Sequence, residues 1–113
     1  MTDDEAMALG LRAVACKGFR WMGGMMDMQG RTVTPCILFR AHPSDTPDFR
    51  DPATMGCLVH LVRVAWDDMT LWVMFDHDEG RWGVDRWADG RVRRGFCDTE
   101  AEAWVAALEA APT

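Results

Sequence analysis

The chain lacks tyrosine altogether, holds a single lysine (Lys17) among twelve basic residues, and has three histidines in 113 residues. No apolar run approaches the roughly 20 residues needed to cross a bilayer, so no transmembrane helix and no membrane partner are expected. The opening MTDDEAMALG is acidic where a secretory leader would be basic, and the chain reads as mature and soluble. There is no CxxC pair. Cys16, Cys36, Cys57 and Cys97 are spread almost evenly, each in an apolar context. Without a leader, an even number of cysteines is not a disulfide framework, and four reduced, packed thiols are expected. Met22-Gly23-Gly24-Met25 does not have the strand–GxxxxGK–helix context of a phosphate-binding loop. Internal repeats and low-complexity segments are also missing.

A basic excess is missing too. Eighteen acidic residues against twelve basic ones give a net charge of −6. This argues against general affinity for nucleic acid, whose phosphates need a cationic surface. It leaves open an acidic protein that occupies a partner's basic groove. The preference for arginine over lysine, with the missing tyrosine, reads as GC-rich coding rather than adaptation to a ligand.

What is present is a globular composition, 49% hydrophobic and 27% charged. A chain of this length forms one domain, 1–113, and buries roughly two-thirds of its unfolded surface. The most sharply written stretch is DPATMGCLVHLVRVAW, Asp51 to Trp66. Asp51 is an N-cap acceptor and Pro52 fills the first helical position, where a missing N–H is harmless. Met55, Leu58, Val59, Val62 and Trp66 recur at spacings of three and four, making an apolar stripe. This helix is expected to organise the two halves of the chain.

Around it, residues 3 to 17 read as a helix with Asp3, Asp4 and Glu5 in the first turn and a buried face of Met7, Leu11, Val14 and Ala15. Gly18 is its expected stop. Residues 19–29 read as a strand interrupted by Gly23-Gly24 and closed by a Gln29-Gly30 turn. Thr32 to Arg40 reads as an edge strand containing Pro35, and 41–51 as a Pro- and Asp-rich loop. Asp67 and Asp68 stand at the unfavourable end of the central helix and are expected to face water. Leu71 to Asp76 is apolar at nearly every position, as a strand covered on both faces would be. Arg81 to Trp87 alternates, with Trp82 and Val84 opposite Arg81 and Asp85. Asp89-Gly90 signals a hairpin into a third strand, Arg91 to Cys97. Thr99-Glu100-Ala101-Glu102 is a capping box for a last helix that buries Ala103, Trp104, Ala107 and Leu108 and is closed by Pro112. The expected fold is α+β in the order α-β-β-α-β-β-β-α, a mainly antiparallel sheet packed by helices as a layered sandwich.

Three segments taken together, LRAVACKGFRWM, DPATMGCLVHLVRVAW and TEAEAWVAALEAA, resemble small proteins of tailed bacteriophages and prophages, including the phage ABA-sandwich domain family. The resemblance implies an α-β-α layered fold and a phage gene, and carries over no catalytic residue. The chain departs from the family at Gly23-Gly24 and in a compressed 41–51 loop.

Candidate chemistry is sparse. Asp76-His77-Asp78-Glu79 offers carboxylates and an imidazole, but Gly80 and Arg81 stand where a calcium loop needs a further carboxylate and its glycine. A solvated turn is expected. Cys57 and His60 have ligand spacing on one helix, yet zinc needs two more ligands, which Cys16, Cys97 or His42 would supply only through the fold. A Cys–His nucleophile from the same residues needs an oriented base that the sequence does not identify. No metal, cofactor or enzymatic activity is therefore expected. Arg81, Arg86, Arg91, Arg93 and Arg94, interleaved with Trp82 and Trp87, are the features that suit single-stranded nucleic acid, diluted by Asp85 and Asp89. Met22, Met25, Met26 and Met28 beside Trp21 suit an adaptable protein contact.

The leading expectation is a phage accessory protein acting in the host bacterial cytoplasm by binding a host or phage protein, most concretely an inhibitor of a host defence system, as an anti-CRISPR protein is. Its expected contacts are Trp21, Met25, Met26, Asp67, Asp68, Asp78 and Glu79, with Asp3, Asp4 and Glu5 adding acidic charge. The alternatives are a nucleic-acid-binding module using Arg81, Arg91, Arg93 and Arg94, and a structural, self-associating virion component. A homodimer is compatible with all three.

Overall fold

A computed structural model describes residues 1–33, 46–85 and 97–112. Among them the backbone forms three helices and one antiparallel hairpin, an α+β fold. Helix α1 covers Asp3–Val14, α2 Pro52–Ala65 and α3 Glu100–Glu109; strand β1 covers Trp72–Asp76 and β2 Arg81–Asp85.

Each helix starts where its sequence supplies an acceptor. The Thr2 hydroxyl accepts the Glu5 N–H, Asp51 accepts that of Thr54, and Thr99 accepts that of Glu102. In the Thr99 box the Glu102 carboxylate points to Arg12, 3.6 Å away, so Glu102 ties α3 to α1. Helix α1 stops at Val14, three residues short of expectation. Its chain turns through Cys16, whose N–H reaches the Ala13 carbonyl, before the expected stop at Gly18. Helix α2 ends in a Schellman motif: the Asp68 N–H donates to the Arg63 carbonyl and the Asp67 N–H to that of Val64. Asp67 takes the left-handed conformation this motif requires, at φ 49°. Asp68 accepts the Thr70 N–H at 2.8 Å, so this carboxylate, expected simply to face water, holds the turn into β1.

The strands pair Trp72 with Asp85, Val73 with Val84, Met74 with Gly83, Phe75 with Trp82 and Asp76 with Arg81. At their joint, Asp76 Oδ1 accepts the N–H groups of Asp78 and Glu79, and Gly80 closes the turn at φ 66°. Trp82 and Cys97 exchange two backbone hydrogen bonds of 2.8 Å, an antiparallel bridge on the other edge of β2. The rest of the expected third strand, 91–96, lies outside the described residues, as do 34–40 of the expected edge strand.

Further expectations are corrected. Segment 19–29 is not a strand. It is a chain of turns whose residues 26–27 make isolated bridges to Thr32 and Pro47. Glycines at 23–24 and 30 and the fully buried carboxylate of Asp27, which accepts the N–H groups of Gln29 and Arg31 and pairs with Arg31 Nε at 2.9 Å, favour a closed loop over an extended ladder. Strand β1 is not covered on both faces: Trp72 and Phe75, which alternation places on opposite faces, are both exposed. Asp85, expected on the face of Arg81 opposite Trp82 and Val84, is buried, as Gly83 and Val84 are, while Arg81 is exposed.

The hub is also different. Helix α3 contacts α1, α2, β1 and β2, whereas α2, the expected organiser, meets only α3 among the named elements. Alanines on α3 allow this close approach from several sides, and Trp104, Val105 and Leu108 fill the core between them. The predicted stripe Ala103, Trp104, Ala107 and Leu108 is buried throughout. Trp66 fixes the end of α2 by donating from Nε1 to the Ala107 carbonyl at 2.8 Å. A second, smaller core gathers Met25, Val33 and Leu61, with Phe19, Trp21, Met22 and Cys57 around it.

Candidate functional site

The largest departure from the sequence reading lies on α1. The face that packs inward is Ala6, Leu9, Gly10 and Ala13. Met7, Leu11 and Val14, expected to be that face, are instead 38%, 53% and 39% exposed. The helix carries two apolar stripes, and the one of small residues wins the interior because it lets backbones touch. A β-carbon on Gly10 would stand 2.3 Å from Thr46 Cγ2 and 2.6 Å from the Pro47 carbonyl oxygen, so α1 lies directly on segment 46–47. A larger stripe could not approach so closely. Leu11 therefore faces out with its neighbours at the helical spacings of four and three, an uncovered apolar ridge. The small-residue spacing at 6, 10 and 13 was the signal that sequence reasoning missed.

Charges bracket this ridge. Asp4 is exposed at its start, Glu5 is exposed on the Arg12 side of the helix, and Lys17 lies in the turn beyond its end. Asp3 is tied down by Arg50 at 2.6 Å, and Arg50 in turn holds Asp48 at 2.9 Å. Its hydrogen bonds keep the Asp48 carboxyl below its ordinary range, and the two acids push the Arg50 guanidinium up. Along the other side of α1, Arg12 grips Glu109 with two hydrogen bonds, 2.7 and 3.2 Å, which raise its pKa. This clamp borders an apolar hollow of about 610 Å³ lined by Ala15, Cys16, Gly18, Ala65, Leu108 and Pro112. Burial raises the Cys16 thiol, and its Sγ lies 3.4 Å from the Arg12 carbonyl, so it is a packed thiol rather than an activated thiolate. Burial likewise raises Cys57 and Cys97.

The residues expected to form a contact surface are dispersed. Met25 is fully buried in the second core and offers no outward surface. Trp21 is half-buried, edge-on to Phe19 at 5.6 Å, and the Met26 N–H donates to Thr54 Oγ1 at 2.7 Å. Asp67 and Asp68 precede β1, and Asp78 and Glu79 follow it. Five extended residues, about 17 Å, keep these acidic pairs apart. In the Asp76–Glu79 cluster the Asp76 carboxylate is engaged by amides of the turn. Arg81 pairs with Asp98 at 3.2 Å, and both are well exposed. Arg91, Arg93 and Arg94 lie outside the described residues. Among those residues no helix is long and apolar enough to cross a membrane.

Compared with known proteins, the chain matches no family model, no curated sequence and no solved structure.

Proposed function

We propose that the chain is a non-enzymatic protein-docking module whose contact surface is the outward face of α1. The observation that carries this reading is the ridge of Met7, Leu11 and Val14, left uncovered on a helix whose other face is packed to backbone contact. Scattered exposed apolar residues are ordinary on protein surfaces. A contiguous helical stripe of three, rimmed by charge, has the pattern of a helix that seats in a partner's groove.

The partner chemistry follows from charge. With a net −6, and with Asp4 at the leading end of the ridge, the module suits an apolar groove rimmed by arginine or lysine, as on a nucleic-acid-binding protein. Blocking such a groove in a host defence system of the bacterial cytoplasm is the concrete form of this proposal. The resemblance of three segments to phage proteins supports that setting.

Capture of a partner by the tagged protein from a nuclease-treated bacterial lysate tests the reading. The same captured protein should be retained at about 50 mM salt and largely lost by about 500 mM, because screening shortens the reach of exposed charges. Retention that does not change with salt contradicts the electrostatic part. Retention that disappears with nuclease contradicts protein docking itself.

A further inference from the structure

The hairpin has one edge bridged and one edge open. Trp82 commits its N–H and carbonyl to Cys97, in two hydrogen bonds of 2.8 Å on the side of β2 away from β1. In an antiparallel pair the hydrogen-bonding direction alternates from one residue to the next. Phe75, opposite Trp82, and Val73, opposite Val84, therefore aim their N–H and carbonyl groups away from β2. Trp72, Met74 and Asp76 aim theirs inward. Leu71, next in the outward set, has its carbonyl taken by Arg63 Nε at 3.0 Å. Among the described residues no hydrogen bond reaches the outward groups of Val73 and Phe75.

Sheet edges are ordinarily guarded by a lysine, a proline or a bulge within the strand. The strand WVMFD holds none of these, and its register with β2 is unbroken. Phe75 is 39% exposed beside the open groups. Donors and acceptors repeating every second residue are the complement of another extended chain, so the backbone itself selects a strand as the occupant.

Charge says which strand. Asp67 and Asp68 precede the edge, and Asp76, Asp78 and Glu79 stand at its other end. Of the nearby arginines, Arg63 is held on the Leu71 carbonyl and Arg81 is paired with Asp98. A second copy added antiparallel, with its two-fold at Met74, would bring the 76–79 turn of each copy to the 67–68 end of the other. Acid would meet acid at both ends, which disfavours self-pairing. A chain with arginine or lysine at those places meets opposite charge instead.

We propose that the outer edge of β1 is a strand-addition site for an extended segment of a partner protein, apolar at alternate positions and basic at its ends. The added strand bonds to the backbone of Val73 and Phe75 and lays its side chains beside the exposed rings of Trp72 and Phe75. This surface is separate from the α1 face, and neither reading depends on the other.

Amide hydrogen exchange of the full chain, followed residue by residue by NMR, tests this with a defined probe. The probe is an alternating valine–threonine peptide with arginine at both ends. Without it, the amides of Val73 and Phe75 should exchange at least about tenfold faster than that of Met74, which bonds to β2. With it, both should slow by a similar factor while Met74 stays as it was. The same peptide N-methylated on the residues that face β1 should protect neither. A glutamate-ended peptide should bind several-fold more weakly. Asp78→Lys combined with Glu79→Lys should weaken the arginine-ended peptide several-fold without moving the unfolding midpoint. Val73 and Phe75 amides as slow as Met74 in the free protein overturn the open edge, and no protection at about 1 mM peptide overturns strand addition. Equal binding by the N-methylated or the glutamate-ended peptide also contradicts the proposal. Protection that grows with protein concentration alone assigns the edge to a second copy and overturns the choice of partner.

Discussion

Thr54 joins two parts of the chain through one hydroxyl. Its Oγ1 accepts the Met26 N–H at 2.7 Å and lies 2.8 Å from Asp51 Oδ2, to which it donates, and the residue is fully buried. Thr54→Val keeps the volume but strands the Met26 amide. It should destabilise the fold by about 1–3 kcal/mol in urea unfolding, whereas Thr54→Ser should stay near wild type. Asp48 makes a different prediction. Hydrogen bonding to Arg50 lowers its folded pKa from the ordinary 3.8. Its contribution is therefore whole above the unfolded value near 3.8 and is lost as pH falls through the lower folded value. Asp48→Asn should flatten the acid limb of the stability profile below about pH 4 and leave it unchanged in shape near neutrality. The effect is small, because Arg50 is exposed and solvent screens the pair. The N-caps Asp51 and Thr99 were legible from the sequence, because a cap needs only a side-chain acceptor and local spacing. The Met26–Thr54 bond was not, since 28 residues separate its partners.

Helix α1 shows what periodicity alone leaves open. Its existence and start followed from local chemistry, but it carries two apolar stripes, and the larger one was expected inside. The choice depends on what packs against it. The small stripe accepts segment 46–47 at backbone distance, and no pattern within α1 announces that neighbour. Gly10→Ala should be destabilising by about 1–3 kcal/mol in chemical denaturation despite alanine's better helix propensity, because the new β-carbon meets a backbone carbonyl that has nowhere to go. The expected stripe of the last helix, Ala103, Trp104, Ala107 and Leu108, is buried, but Ala101 and Val105 are buried beside it, because neighbours pack on α3 from several sides. Strand β1 was read as doubly covered because its residues are apolar, yet Trp72 and Phe75, on its opposite faces, both remain at the surface, and among the helices only α3 packs on the hairpin.

Among the described residues, the α+β class and the three helices were legible, while the hub was not. Helix α2 has the sharper sequence, but α3 lies where α1, α2 and the hairpin converge. That convergence is a matter of long-range packing. Of the expected contact residues, Met25 went to the interior, and the acidic pairs stand at opposite ends of β1. The surface that carries the docking proposal had been assigned to the core. Leu9 and Leu11, two positions apart on α1, separate these roles: the first is 5% exposed and the second 53%. The decisive measurement is a paired comparison of Leu9→Ser and Leu11→Ser for both unfolding stability and capture of a partner from nuclease-treated lysate. Leu9→Ser should lose about 2–4 kcal/mol of stability. Leu11→Ser should unfold within about 0.5 kcal/mol of wild type while losing the captured protein. A Leu11→Ser variant as unstable as Leu9→Ser, or one that captures the partner as well as the wild type, would contradict the account.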